Sequence, residues 1–124
     1  MNIGIIGCGL IGHKRALNIA SDDQVLLACD TNMAAAEKLA TLYKAEAVTD
    51  WQEVLKSPDI HAVVIATVHA RLAEITAAAI QAGKHVLVEK PAARNADELA
   101  LVLEALRNAK KPVVVKVGFN HRFH

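Results

Sequence analysis

Apolar runs of strand length recur along this chain, and between them apolar positions return at intervals of three and four. The runs at 2–7 (NIGIIG), 24–29 (QVLLAC), 62–67 (AVVIAT), 85–89 (HVLVE) and 112–119 (PVVVKVGF) read as strands. A weaker run at 45–48 (AEAV) reads as a short one. The intervening segments carry helical spacing. "GHKRALNIA" sets Ala16, Leu17 and Ala20 on one face, and "MAAAEKLATLY" groups Ala36, Leu39, Ala40 and Tyr43. "TDWQEVLK" opens with Thr49 and Gln52 at capping-box spacing, and "ARLAEITAAAIQA" stops at Gly83, a suitable helix end. "NADELALVLEALRNAK" opens with Asn95 and Glu98 as a second capping pair and stripes Leu99, Val102, Leu103 and Leu106 toward a core.

Strands alternating with helices of this length form βαβ units with right-handed crossovers. The expected fold class is therefore α/β: a doubly wound parallel sheet of the Rossmann kind, of about six strands with helices on both faces. Ligands of such sheets bind beyond the carboxyl ends of the strands, where the strand order reverses.

Composition narrows this picture. A chain of 124 residues is one domain by length, and 53% hydrophobic residues suffice for a single core. Aromatics are only 3%, so Val, Ile, Leu and Ala must build that core, which suits parallel strands under alanine-rich helices. The formal net charge is +1 and the longest basic run is His13-Lys14-Arg15, which is no footprint for a phosphate backbone. Nucleic acid is therefore not an expected partner. No apolar stretch reaches the ~20 residues of a membrane span. The start of the chain lacks the charged leader and cleavage site of a secretory signal. Cys8 and Cys29 then read as free thiols in a reducing cytoplasm.

Candidate chemistry begins where the first strand ends. "GCGLIG" is G-x-G-x-x-G at Gly7, Gly9 and Gly12, between a strand and a helix, the context in which this pattern carries meaning. Gly7 permits a tight turn, Gly9 lets the backbone approach a pyrophosphate, and Gly12 lets helix and strand pack closely. Leu10 and Ile11 open the helix, whose free N–H groups and partial positive charge suit an anion. The second strand ends at Asp30, eighteen residues past Gly12, where a carboxylate can bind both ribose hydroxyls of an adenosine, with Thr31 beside it. No arginine follows in "TNMAAA" to receive a 2′-phosphate, so NAD is the expected cofactor over NADP. His13, Lys14 and Arg15 could offset phosphate charge, but a solvated helix face is the plainer account.

The fifth strand runs out in Glu89-Lys90-Pro91, on the rim where a nicotinamide would lie. A lysine beside a carboxylate and a cofactor can hold and polarise a substrate oxygen, and Pro91 would stiffen its exit from the strand. Without a ligand, the same residues read as a surface ion pair.

"AVVIATVHARLAEITAAAIQAGKHVLVEKPAA", with "GIIGCGLIG" and "VGFNHRF", resembles the glucose–fructose oxidoreductase / inositol dehydrogenase / MocA family over essentially the whole chain. The resemblance implies an NAD(P)-dependent oxidoreductase acting on sugars, cyclitols or related hydroxy compounds. It implies that Lys90 contacts substrate near the reacting carbon and that Glu89 helps order the nicotinamide site. Thr67 and His69 would line the nicotinamide ribose, with Asn120 and Arg122 near the junction to a further domain and Asn120 counted among the cofactor-binding residues. Three positions depart from the family pattern: Val68 replaces a usual proline, His69 a frequent asparagine, and Leu72 a common histidine.

The implied organisation is a dinucleotide-binding domain at 1–120, with 121–124 starting a junction to a substrate domain beyond this sequence. Such a chain is expected to bind cofactor, to be catalytically silent alone, to be cytoplasmic, and to self-associate through apolar surface near Phe119 and Phe123. No metal is expected, since His121 and His124 offer only two ligands. A stand-alone nucleotide-binding module without catalysis is the alternative. A methyltransferase would also use the glycine loop and Asp30, but gives no reason for Glu89-Lys90-Pro91.

Overall fold

A computed structural model describes residues 1–118, except for the side chain of His69. The strands are β1 (Asn2–Ile6), β2 (Gln24–Cys29), β3 (Glu46–Val48), β4 (Ala62–Ile65), β5 (His85–Glu89) and β6 (Val115–Gly118). The helices are α1 (Leu10–Leu17), α2 (Met33–Tyr43), α3 (Trp51–Lys56), α4 (His69–Gln81) and α5 (Ala96–Arg107). The strands form one parallel sheet in the order β3-β2-β1-β4-β5-β6. Sequence order therefore reverses between β1 and β4, the α/β arrangement expected from the alternation of runs.

The two faces of the sheet carry separate cores. Ile3, Ile5, Ala28 and Val64 pack under Ala16 of α1 and Ala36, Leu39 and Ala40 of α2. Ile6, Val63, Ile65, Val86 and Val88 pack under α3, α4 and α5 on the other side. Leu72 and Ile75 of α4 are fully buried there, each stabilising the fold by about 2 kcal/mol through burial alone. Leu72 is thus a core residue in this chain, with no polar role. At the other end of the sheet, buried Lys84 donates to the carbonyl oxygens of Ser57 and Ile60 at 2.7 and 2.8 Å. Burial holds its pKa below the ordinary lysine value.

Several local expectations are corrected. α1 ends at Leu17, which is 76% exposed, and Ala20 lies beyond the helix and is exposed, so only Ala16 of the anticipated stripe is buried. α3 is capped by Asp50, whose Oδ1 accepts the N–H of Gln52 at 2.9 Å; Thr49 stands one residue outside. Asn95 does cap α5, accepting from the N–H of Glu98, but the Glu98 carboxylate turns to Arg94 instead of closing the box. β6 begins at Val115, three residues after Pro112.

The largest correction concerns α5. Val102 and Ala105 are its buried residues, while Leu99, Leu103 and Leu106 are exposed at 49%, 47% and 37%. α5 packs chiefly against α4, so only a narrow stripe of it meets neighbours. Asn120, His121, Arg122 and His124, and the aromatic pair Phe119 and Phe123, lie outside the described residues.

Candidate functional site

The first crossover builds the site. After β1 the chain turns at Gly7 with φ of +102°, a conformation glycine adopts without the Cβ penalty. A side chain there would drive into the backbone of Ala66 and Thr67, so glycine lets this loop lie against the end of β4. A Cβ at Gly12 would collide with the carbonyl oxygen of Gly7, which seats α1 directly on the turn. Gly9 differs: a Cβ there would meet nothing within 4 Å. Its backbone faces open space at the strand ends.

Helices α2, α3 and α5 are capped by Asn32, Asp50 and Asn95, but no side-chain hydrogen bond caps α1 or α4. The N–H groups of Leu10, Ile11 and Gly12 precede the first intrahelical bond, from His13 to Gly9, and so suit an anion. Leu10 is 80% exposed, Ile11 half-buried and Gly12 buried.

Asp30 sits half-buried just past β2. Its Oδ2 accepts the N–H of Cys8 at 2.8 Å and its Oδ1 accepts the N–H of Asn32 at 2.9 Å. The carboxylate therefore spans the glycine loop and the start of α2, and each oxygen keeps a second acceptor direction for a ligand hydroxyl. The N–H of Gly7 and the Sγ of Cys8 both donate to the Cys29 carbonyl, at 2.8 and 3.2 Å. Burial, and then the nearby Asp30 charge, pushes the thiols of Cys8 and Cys29 up to about 12. Both are structural thiols, not nucleophiles.

These elements enclose a cleft of about 460 Å³ at the carboxyl ends of the central strands. Gly7, Gly9, Asp30, Thr31 and Thr67, all anticipated from the sequence, line it together. Thr49, Trp51, Val68 and Arg71 also line it and were not anticipated. "TDW" follows directly on β3, so the rule that ligands sit past strand ends could have found Trp51. Nothing local marks Arg71.

The rim beyond β5 is a separate cluster. Glu89 and Lys90 are not among the residues lining the cleft. Arg15 of α1 grips Glu89 through Nε at 2.5 Å and Nη2 at 3.1 Å, with both side chains largely buried. This corrects the plainer reading of Arg15 as solvated and of Glu89 as one half of an exposed pair. The Glu89 hydrogen bond raises the arginine pKa further. A Cβ at Gly118 would press on the guanidinium at 2.9 Å and the carboxylate at 3.0 Å, so glycine in β6 makes room for the pair. Lys90 is exposed, and the Lys90–Pro91 peptide bond is cis. His69 is the first residue of α4.

Among the described residues, no group of three His, Cys, Asp or Glu side chains is placed to hold a metal ion. No described helix is long and apolar enough to cross a membrane.

Known proteins share this arrangement. Levoglucosan dehydrogenase of Pseudarthrobacter phenanthrenivorans is 33% identical, over 98% of this chain and 34% of its own length. Inositol 2-dehydrogenase 2 of Saccharopolyspora erythraea is 37% identical, over 99% of this chain and 37% of its own. The solved structure of a levoglucosan dehydrogenase with NADH and levoglucosan superposes with a TM-score of 0.81 at 29% identity, covering 93% of this chain and 34% of that one. The chain thus spans about a third of the length of these relatives. Residues 1–119 match the Gfo/Idh/MocA oxidoreductase family, NAD-binding Rossmann fold, and with the glycine loop, Asp30 and Glu89-Lys90-Pro91 in these positions, the chain belongs to that family.

Proposed function

We propose that this chain binds NAD(H) across the carboxyl edge of its sheet and serves a dehydrogenase of sugars, cyclitols or related hydroxy compounds. The observation that carries the reading is the meeting of Gly7, Gly9 and Asp30 in one cleft. The residues fit the cofactor: open space over Gly9 admits phosphates, the first turn of α1 offers N–H donors, and Asp30 keeps acceptors for ribose hydroxyls. A bound nicotinamide would supply the hydride chemistry. Lys90, on the exposed rim, would hold the substrate oxygen and steady its developing negative charge, with Glu89 kept in place by Arg15. Thr67 and His69 would flank the nicotinamide ribose, and Asn120 would stand near the junction to a further domain, the proposed binding domain itself being 1–120.

NAD is favoured over NADP because the Asp30 charge would repel a 2′-phosphate. Titration calorimetry with both cofactors tests this, and NADP binding as tight as NAD would overturn it. The buried thiols of Cys8 and Cys29 suit a reducing cytoplasm. The exposed leucines of α5 suit a homo-oligomer contact, which sedimentation of a Leu99→Glu/Leu103→Glu variant would disrupt. Incubating the 124-residue chain with NAD and a panel of cyclitols and sugars should give cofactor binding without NADH production. Binding without turnover in the intact protein as well would favour the non-catalytic nucleotide-binding module.

A further inference from the structure

Arg15 and Glu89 lie outside the cleft, yet their pair is enclosed on both sides. The pairs Arg71–Glu74 and Arg94–Glu98, by contrast, leave the arginine side chain 50% and 49% exposed. Nε and Nη2 of Arg15 each meet a different oxygen of Glu89, a fork that fixes the plane of the carboxylate as well as its place. Enclosing two charges is a poor source of stability, because desolvation offsets much of their attraction. What the fork adds is orientation. Three elements converge on this carboxylate: Glu89 ends β5, Arg15 reaches it from the last turn of α1, and Gly118 of β6 stands beside it in register. The next residue of the chain is Lys90, on the exposed rim. α1 is itself seated on the glycine turn through Gly12, and its eight residues make it about 12 Å long. One short helix thus joins the proposed phosphate site to the residue that precedes Lys90.

Resting on the dehydrogenase reading, we infer that Arg15 is a positioning residue: through the Glu89 carboxylate it fixes the end of β5, and so the point from which Lys90 reaches the substrate oxygen. Glu89 then acts through the backbone it anchors, and not by touching the cofactor. Gly118 completes the device, because any side chain there would press on both partners of the fork. A misplacement of about 1 Å can cost on the order of 10²-fold in rate, so a loose strand end at this place would be felt in turnover.

The intact dehydrogenase tests this with two variants. Arg15→Met/Glu89→Gln removes the fork without stranding a charge, and Gly118→Ala crowds the fork without removing either partner. Each is assayed with NAD and the member of the cyclitol and sugar panel that the wild type oxidises fastest, unlabelled and deuterated at the reacting carbon. NAD affinity by calorimetry should be unchanged. The kcat should fall by about 10- to 100-fold in the double variant and several-fold in Gly118→Ala. The deuterium isotope effect on kcat should rise in both, because the hydride step becomes the slow one. Arg15→Lys, which keeps the charge but offers no fork, should keep only part of the wild-type kcat. A folded double variant with wild-type kcat would overturn the inference and leave the dehydrogenase reading standing. Activity that falls only with the folded fraction, at an unmoved isotope effect, would do the same, since the pair would then serve stability alone. A wild type that turns over no member of the panel would overturn the dehydrogenase reading, and this inference with it.

Discussion

The backbone N–H of Cys8 donates to the Asp30 carboxylate at 2.8 Å, joining the glycine loop to the strand end that follows it in the fold. The carboxylate proposed to select the ribose is thereby also a strut for the loop proposed to receive the pyrophosphate. Its second oxygen is held by Asn32, so it cannot swing away from the cleft without breaking two hydrogen bonds.

Replacing Asp30 should consequently cost more than a ribose contact. Hydrogen bonds to a charged group are worth ~1.5–3 kcal/mol. Asp30→Ala should weaken NAD by about a hundredfold or more, since each 1.4 kcal/mol is tenfold. Asp30→Asn should fall between, because its amide nitrogen would face an N–H donor where the second oxygen stood. Calorimetric titration reads both, and a loss of under tenfold for Asp30→Ala would show that the carboxylate carries neither role.

Lys90 is exposed on the rim past β5, away from the residues that line the cleft. In the intact dehydrogenase proposed above, Lys90→Ala should lower turnover by ~10²-fold while leaving NAD affinity nearly unchanged. Steady-state kinetics beside cofactor titration separates the two effects. Near-normal turnover would return Lys90 to an ordinary surface lysine.

Arg15→Met should leave the Glu89 carboxylate in a largely enclosed site without its guanidinium partner. The expected loss is about 3 kcal/mol of folding stability, the scale for breaking an enclosed pair from one side. Arg15→Met combined with Glu89→Gln should recover part of it, because the stranded charge is gone. Urea unfolding of the single and double variants measures the difference. A double variant no better than the single would mean that Arg15 stabilises by packing alone.

Cys8 and Cys29 titrate near 12 in the folded chain, against 9.0 for a free thiol. The unfolded chain therefore releases these protons first as pH rises. The corresponding stability is fully present below about pH 9 and is lost progressively toward 12. Thermal unfolding across that window should show the decline, and Cys8→Ala/Cys29→Ala should flatten it. Below pH 9, neither thiol should react with an aromatic disulfide reagent until the chain is unfolded.

What was legible in the sequence had a local cause. The apolar runs and helical spacings identify the α/β sheet because burial on two faces demands unbroken Val, Ile and Leu. The glycine loop is readable because Gly7 needs a positive φ and Gly12 a bare Cα, both requirements of backbone sterics. Asp30 is readable because it follows a strand at the right distance from that loop. Other features depended on which elements become neighbours. The burial of α5 is not legible locally because periodicity states which residues share a face, whereas packing chiefly against α4 leaves Leu99, Leu103 and Leu106 exposed. Arg15 and Glu89 are 74 residues apart and meet only once α1 packs beside the end of β5. Trp51 and Arg71 share a cleft only because β1 lies between β2 and β4, drawing the β3–α3 junction and the start of α4 around one opening. Local sterics and burial determine the elements and the loop, whereas side chains distant in sequence become one site only through the order of the strands.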